Sequence, residues 1–473
     1  MSYNPENQYR CTIIRGKSQT EMEDLLPLYA KMVHTHCPCD ETVFKDSCRR
    51  VLSKAIFNNP MYDMLSEPNR KTVDNHLTEI AGTLLGLYYT DYDDDSGKNI
   101  VIETEACKFL VDSNDQTTFF KNLCLNFQFP NGAKWLKFVQ QDIENGINIK
   151  PFCYVVKLLY IAQQHGDLLS KQEIGFYVLN NLDVLQGKIA CEEVYNRILT
   201  DRKQQVKRNK LSGSRDWQHI KEQFNLLELA NIIECDSKDI WLNKDENKAI
   251  SIFINHLSSP KFDCSIYDFR NPVSQKVFIS EWRQYYGKFN EELLSAQTSF
   301  NATSIVVADR DSLHPTGTTI KSSTDLGDEG EALVFALEQE RVRKYKERLV
   351  NKVLLLGKTK GLGYDISSIE ADDNPLKPEF ARYIEVKATR RVTVPSFDSA
   401  WSDSVNLTTK EWIAAEQYGE YYNIYRVYFT KKQTIIIRIK NPYAKAMSGK
   451  LEVYPTIYQM NFDANVIENK MCL

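Results

Sequence analysis

Three residues in the C-terminal third of the chain have the types and spacing needed to hydrolyse a phosphate ester. Glu385 and Lys387 stand two apart in YIEVKATRR, residues 383–391, and Asp365 stands about twenty residues earlier in GYDIS. On a β-strand alternate side chains share a face, so Glu385 and Lys387 project together while Ile384 and Val386 project to the other side. Alone, a Glu-x-Lys pair is a solvated ion pair on a strand face and is worth little. With Asp365 on a neighbouring strand, two carboxylates meet at one end of a sheet. They repel unless a cation lies between them, and hard oxygen ligands of this kind suit Mg²⁺. The Val386 carbonyl would add a third oxygen. A lysine beside them can orient or deprotonate a water and offset the negative charge growing on a phosphate.

The elements that must position these groups read as a sheet with flanking helices over residues 325–473. Residues 330–346 carry a helix pattern with Glu331 and Glu338 among its polar positions, and either could be a helix-borne carboxylate of the site. Residues 352–356 and GYDIS at 363–367 read as short strands, followed by YIEVKAT. A helix over 409–420 and the strands IYRVYF and TIIIRIK complete the α/β pattern. The trailing Arg390 and Arg391 are expected to touch phosphate. Ahead of this region, residues 291–324 read as a linker: Thr298 to Thr324 holds eleven Ser or Thr in 27 residues and few large apolar side chains.

The N-terminal half has a different rhythm. Residues 72–89, TVDNHLTEIAGTLLGLYY, form an apolar-striped helix pattern, then DYDDDSGKN reads as a charged turn and IVIET as a strand. A helix followed by a hairpin is the form of a winged-helix subdomain, here assigned to residues 1–115. The order recurs at 216–233, DWQHIKEQFNLLELANII, followed by ECDSKDIWLN as strand, turn, strand. Residues 116–290 are therefore expected to hold a helical brace and a second winged helix, and the pair reads as a DNA-recognition region. The densest basic stretch, residues 197–215, has seven Lys or Arg against the single acid Asp201. Arg202, Lys203, Lys207, Arg208, Lys210 and Arg215 would grip phosphates there, giving affinity without sequence discrimination. Base readout is expected from Arg10, Arg15 and Lys17 in the N-terminal arm, and from Asn75 and His76 on the first helix.

Composition bounds these readings. The 473 residues suffice for several domains, and a net charge of −4 argues against a protein that coats nucleic acid through bulk charge while leaving room for local basic grooves. There is no long apolar run or apolar leader, so a cytoplasmic location and no membrane are expected. Eleven scattered cysteines, mostly in apolar segments, read as reduced thiols. HTHCPC at residues 34–39 lacks the second knuckle a structural zinc needs. The acidic run at 91–95 lacks the closing Glu of a Ca²⁺ loop, and GKTKGLG at 357–363 lacks the order of a phosphate loop.

The order of GE-x6-E, LGYDI, YIEVKAT and EWIAAEQYGEYYNIYRV resembles the PD-(D/E)XK nuclease superfamily in its Holliday-junction-resolvase-like branch. The resemblance assigns Asp365 to the motif's Asp, in GYDI rather than after a proline. It assigns Glu385 and Lys387 to the E-x-K and Glu331 to the glutamate of the first helix. YRCTIIRGK, FFKNLCLNFQFPNG and FYVLNNLDVLQGK resemble the recognition half of BpuJI-type restriction endonucleases. That resemblance implies a type IIS enzyme of α+β and α/β multidomain fold. Tandem winged helices would read a short asymmetric site in double-stranded DNA, and the C-terminal domain would cut outside it with Mg²⁺. It also implies a homodimer for double-strand cleavage and a separate cognate methyltransferase. The alternatives are a modification-dependent or structure-specific defence or repair nuclease, and a non-catalytic DNA-binding regulator with a vestigial nuclease domain.

Overall fold

A computed structural model describes residues 3–93, 97–206, 208, 214–300, 326–357, 359, 361–398, 401–454, 458–467 and 469–472. The chain forms two compact units. The first gathers Met1–Gln19, Tyr29–Asp112 and Thr117–Thr298; the second gathers Thr20–Leu28, Ser113–Gln116 and Ser299–Leu473. Residues 1–115 and 116–290, separated in the sequence reading, thus fall largely within one unit. Thr298, where the Ser/Thr-rich part of the expected linker 291–324 begins, is buried there, its hydroxyl donating to Glu246 at 2.6 Å and accepting from Lys121 at 2.8 Å. Most of the Ser/Thr-rich stretch, residues 301–325, lies outside the described residues.

In the first unit two small antiparallel sheets share one plan. Strands β1 (Cys39–Asp40), β2 (Tyr88–Asp93) and β3 (Lys98–Glu103) pair in the order β1-β3-β2; β4 (Leu169–Ser170), β5 (Ile233–Cys235) and β6 (Asp239–Leu242) pair as β4-β6-β5. In each, a short strand is followed by helices and then by a hairpin whose second strand sits in the middle. The helix before the first hairpin runs Glu67–Asn75 and continues as a wider turn His76–Leu84, so it starts earlier than the apolar stripe suggested and ends sooner. Pro68 fits its first turn, where no amide donor is needed. Gly86, with φ of +61°, turns the chain so that Tyr88 and Tyr89 enter β2 instead of extending the helix. The helix before the second hairpin is Ser214–Leu229. The intervening segment is mostly helical, as expected, with Pro151–Gln164 the most deeply buried of its helices.

The second unit is built on a six-stranded sheet. Its strands are β7 (Leu354–Leu355), β8 (Ile366–Ile369), β9 (Ala381–Arg390), β11 (Tyr422–Phe429), β12 (Thr434–Lys440) and β15 (Asn469–Cys472), in the order β15-β12-β11-β9-β8-β7. A smaller sheet pairs β10 (Asp403–Leu407), β14 (Tyr458–Phe462) and β13 (Glu452–Tyr454) in the order β10-β14-β13. Strand β9 runs antiparallel to β8 and parallel to β11, and the helix Thr409–Tyr418 makes the crossover that a parallel pair requires. Alternation along the strands gives each face its own core. Ile384, Val386 and Ala388 meet Val334 and Val342 of the helix Leu326–Lys346, while Tyr422 and Ile424 meet Trp412 and Ala415 of the crossover helix. Two expected strands are shifted: residues 352–356 contribute only the exposed edge pair Leu354–Leu355, and GYDIS enters the sheet at Ile366, leaving Asp365 at its mouth.

Candidate active site

Asp365 is held at the end of β8 by the strand beside it. Its N–H donates to the Ile384 carbonyl at 2.9 Å, and its Oδ2 accepts the Val386 N–H at 2.8 Å. The aspartate side chain therefore takes the ladder position that β8 vacates. The N–H and carbonyl of one strand residue leave the same edge, so the Val386 carbonyl lies on the Asp365 side of β9. The chain reaches this point through Gly363, whose φ is +76° and whose Cα lies so near the crossover helix that a Cβ would stand 2.5 Å from the Lys410 carbonyl oxygen. Only glycine fits there. The buried Tyr422 hydroxyl fixes the same turn, donating to the Gly363 carbonyl at 2.8 Å.

Glu385 and Lys387 project from β9 toward the crossover helix, as strand alternation requires. Glu385 is 3% exposed, and the Lys387 ammonium lies 2.6 Å from its Oε1 and 2.9 Å from Oε2 of Glu411. Burial pushes the Asp365 carboxyl up, and Val386 N–H and Lys387 only partly oppose it. Burial likewise pushes Glu385 well up, with Lys387 opposing and the nearby Asp365 and Glu411 adding to the rise. Burial would lower Lys387, yet Glu385 and Glu411 outweigh it and keep the ammonium charged. Among the described residues the result is a cluster of carboxylates with one cation, Lys387, among them.

Of the two helix carboxylates, Glu331 packs against the turn after β7: a Cβ on Gly357 would lie 2.1 Å from its Oε2. Its helix covers the Val386–Ala388 face of the sheet, opposite to the face of Glu385 and Lys387. Glu338 is committed elsewhere, accepting from Arg341 at 2.6 Å and from the Tyr425 hydroxyl at 2.9 Å. Arg390 and Arg391 are not phosphate contacts. Both are buried in ion pairs within the second unit, Arg390 with Asp115 and Glu329 and Arg391 with Asp24 and Glu23. Glu411 escaped the sequence reading; the T-x-x-E capping-box spacing of Thr408 and Glu411 was its only local trace.

The DNA-contact candidates in the first unit separate by what they already bind. His76 is 3% exposed and its Nδ1 lies 2.6 Å from the Tyr29 hydroxyl, so it is a core residue and not a base reader. Asn75 and Lys17 are half-buried. Arg10 pairs with Asp216 at 2.6 Å. Arg202 grips Glu173 through two nitrogens, both at 2.7 Å, and Arg208 pairs with Asp201 and Glu6. Lys203, Arg215 and Arg15 are exposed; Lys207 and Lys210 lie outside the described residues. Arg15 lines a cleft of about 520 Å³ together with Thr78, Glu79, Trp135, His219 and Arg283. Trp135 is 72% exposed, with the Lys137 ammonium 5.7 Å from its ring. The aromatic and basic alternation of AKWLKF, residues 133–138, is the signal that could have found it.

Among the described residues no three His, Cys, Asp or Glu side chains group as metal ligands, and ten of the cysteines, Cys11 to Cys264, are free thiols. No described helix is long and apolar enough to cross a membrane.

Residues 3–282 match the family described as Restriction endonuclease BpuJI, N terminal, which places the chain among restriction-endonuclease relatives. The chain belongs to that BpuJI N-terminal family. Residues 330–439 match a second family, described as Protein NO VEIN, C-terminal. A similar solved structure is described as the crystal structure of pyrene- and phenanthrene-modified DNA in complex with the BpuJ1 endonuclease binding domain. It is 37% identical, with a TM-score of 0.55, over 61% of this chain and 100% of that one. No curated protein matches.

Proposed function

We propose that the chain is a type IIS restriction endonuclease. The first unit reads a short asymmetric site in double-stranded DNA through two winged helices, and the second is a PD-(D/E)XK nuclease domain that hydrolyses a phosphodiester outside the site with Mg²⁺. The observation that carries this reading is the convergence of Asp365, Glu385 and Lys387 at the mouth of β8 and β9, on a chain whose other unit belongs to the BpuJI family. The DNA held by the similar binding domain supports double-stranded DNA as the partner of the first unit. Among its candidate contacts, the exposed Arg15, Lys203 and Arg215 have the fewest competing claims on their charge.

The donor set fits Mg²⁺. Asp365 and Glu385 are hard oxygen donors facing each other, both pushed up by burial, and the Val386 carbonyl leaves the same edge of β9. Mg²⁺ keeps several waters and needs only one or two carboxylates, so these three oxygens would suffice. When bound, it supplies the charge that acidifies an attacking water and polarises the phosphate. The chain's own residues do the rest. The Val386 N–H orients Asp365, and burial excludes competing water from Glu385. Lys387 uses two of its three N–H donors on Glu385 and Glu411 and offers the third to the water or to a phosphate oxygen. Glu331 would act from the Leu326–Lys346 helix. One such site cuts one strand, so double-strand cleavage calls for two copies meeting on DNA. Host sites would be protected by a separate methyltransferase.

The test is digestion of unmodified plasmid with Mg²⁺, with ends sequenced. Discrete fragments are expected, with no cutting but retained DNA binding for Asp365→Ala and Lys387→Ala. Cutting only of modified DNA would make the enzyme modification-dependent; binding without cutting under any condition would make it a regulator.

A further inference from the structure

Lys387 has a second anchor that its own strand does not supply. Glu411 is the third residue of the crossover helix, where the Thr408 hydroxyl accepts the Glu411 N–H at 3.3 Å and the Glu411 carboxylate accepts the Thr408 N–H at 3.0 Å. The same oxygen, Oε2, that takes the Thr408 N–H lies 2.9 Å from the Lys387 ammonium. The capping box thus fixes the carboxylate before it meets the lysine. A flexible surface glutamate would lose side-chain freedom to make this pair, whereas the reciprocal cap has already removed it.

We propose that Glu411 is a positioning residue for Lys387, a role that rests on the nuclease reading of this site. Glu385 holds Lys387 from the same strand face, but Glu385 is also the carboxylate that a bound cation would draw toward Asp365. Glu411 stands on another element and keeps its grip on the ammonium whatever Glu385 does. Its task is to hold the third N–H of Lys387 toward the phosphate during the reaction. Glutamine is the discriminating substitution, since it preserves the capping box while removing the charge that holds the lysine.

In Glu411→Gln, kcat for DNA cleavage should fall about 10- to 100-fold, the cost typical of losing a partner that orients a site residue, with KM for DNA and thermal stability near wild type. Glu411→Asp keeps the charge on a shorter arm and should be impaired as well. A second readout needs no cleavage. In the full-length protein without Mg²⁺, Lys387 should acylate several-fold faster with a small amine-reactive ester in Glu411→Gln than in wild type, followed by mass spectrometry of its peptide. Equal labelling and equal kcat in Glu411→Gln would overturn the proposal. Faster labelling of the variant, in a protein whose wild type cuts no DNA, would instead overturn the nuclease reading and leave Glu411 as the holder of Lys387.

Discussion

The two faces of strand β9 bury charge in opposite ways. On the face toward the Leu326–Lys346 helix, Arg382 is wholly buried among Glu338, Glu370 and Asp373, with Arg341 and Arg438 closing the network. Three arginines there, with Lys440 4.0 Å from Glu370, meet three carboxylates. Burial would push Glu338 up, but Arg341 and Arg382 outweigh it and hold the carboxyl at about 2; Arg382 and Arg438 likewise overcome burial at Asp373 and bring it to about 2. Three residues further along, on the face toward the crossover helix, Glu385 and Glu411 pair with Lys387, the one cation among the described residues there, with Asp365 beside them, and burial leaves Asp365 and Glu385 raised. A balanced network has satisfied its charges internally and is structural. A cluster short of positive charge takes up protons or draws in a cation, a feature that recurs at binding and reaction sites.

The comparison breaks most visibly through single substitutions. Lys387→Ala should reduce cleavage by about two to four powers of ten, the scale of losing one charge-stabilising or proton-transferring group, with an unaltered far-ultraviolet circular dichroism spectrum. Arg382→Ala should do the reverse. It leaves the buried Glu370 without its guanidinium partner and should destabilise the second unit by about 3–5 kcal/mol, read as a lower urea midpoint. A Lys387→Ala protein that fails to fold, or an Arg382→Ala protein with a wild-type midpoint, would erase the distinction between the faces.

Much of this arrangement is legible in the amino-acid sequence, for reasons that are local. Strand alternation alone puts Glu385 and Lys387 on one face, and the spacing to Asp365 suits a neighbouring strand. The assignment of His76 as a base contact runs against a local signal, since Val73, His76, Leu77 and Ile80 follow helical spacing and mark the buried stripe. What the sequence could not carry were partners set by tertiary folding. Arg390 and Arg391 look like free cations beside the site, yet Asp115 and Asp24 lie 275 and 367 residues away in the chain. Arg202 and Arg208 read as a basic grip because Glu173 and Glu6 stand far from them in sequence. Glu411 reaches Lys387 only because a parallel crossover returns the chain over β9.

The pH dependence of stability separates the faces further. For Glu338 the folded value, about 2, lies below its ordinary 4.5, so the unfolded chain binds more protons between these limits. Stability from this group is complete above about pH 4.5 and is lost as pH falls toward 2, an effect of roughly 3 kcal/mol for a buried carboxyl. Glu338→Gln should flatten that acid limb, as measured by urea unfolding at stepped pH. An acid limb of unchanged steepness would mean that Arg341 and Arg382 do not hold Glu338 as the structure shows.

The smallest effect is the most discriminating. Asp365 and Glu385 have folded values raised above the ordinary ones, so the native state binds more protons and stability falls as pH rises past the ordinary carboxylate range. At neutral pH without a divalent cation, Asp365→Asn should therefore stabilise the second unit by about 0.5–2 kcal/mol, because the amide oxygen still accepts the Val386 N–H while the repulsion on Glu385 disappears. Mg²⁺ should produce the complementary result. At about ten times its dissociation constant it adds roughly 1.4 kcal/mol to wild type, and the rise in Tm, a few degrees, should be absent in Asp365→Asn and intact in Glu338→Gln. Glu338 is buried and Asp365 half-buried, and both substitutions remove one negative charge from the second unit. Only the one on the charge-deficient face should abolish the response to the cation, and equal loss in the two variants would show that the ion acts through general charge screening.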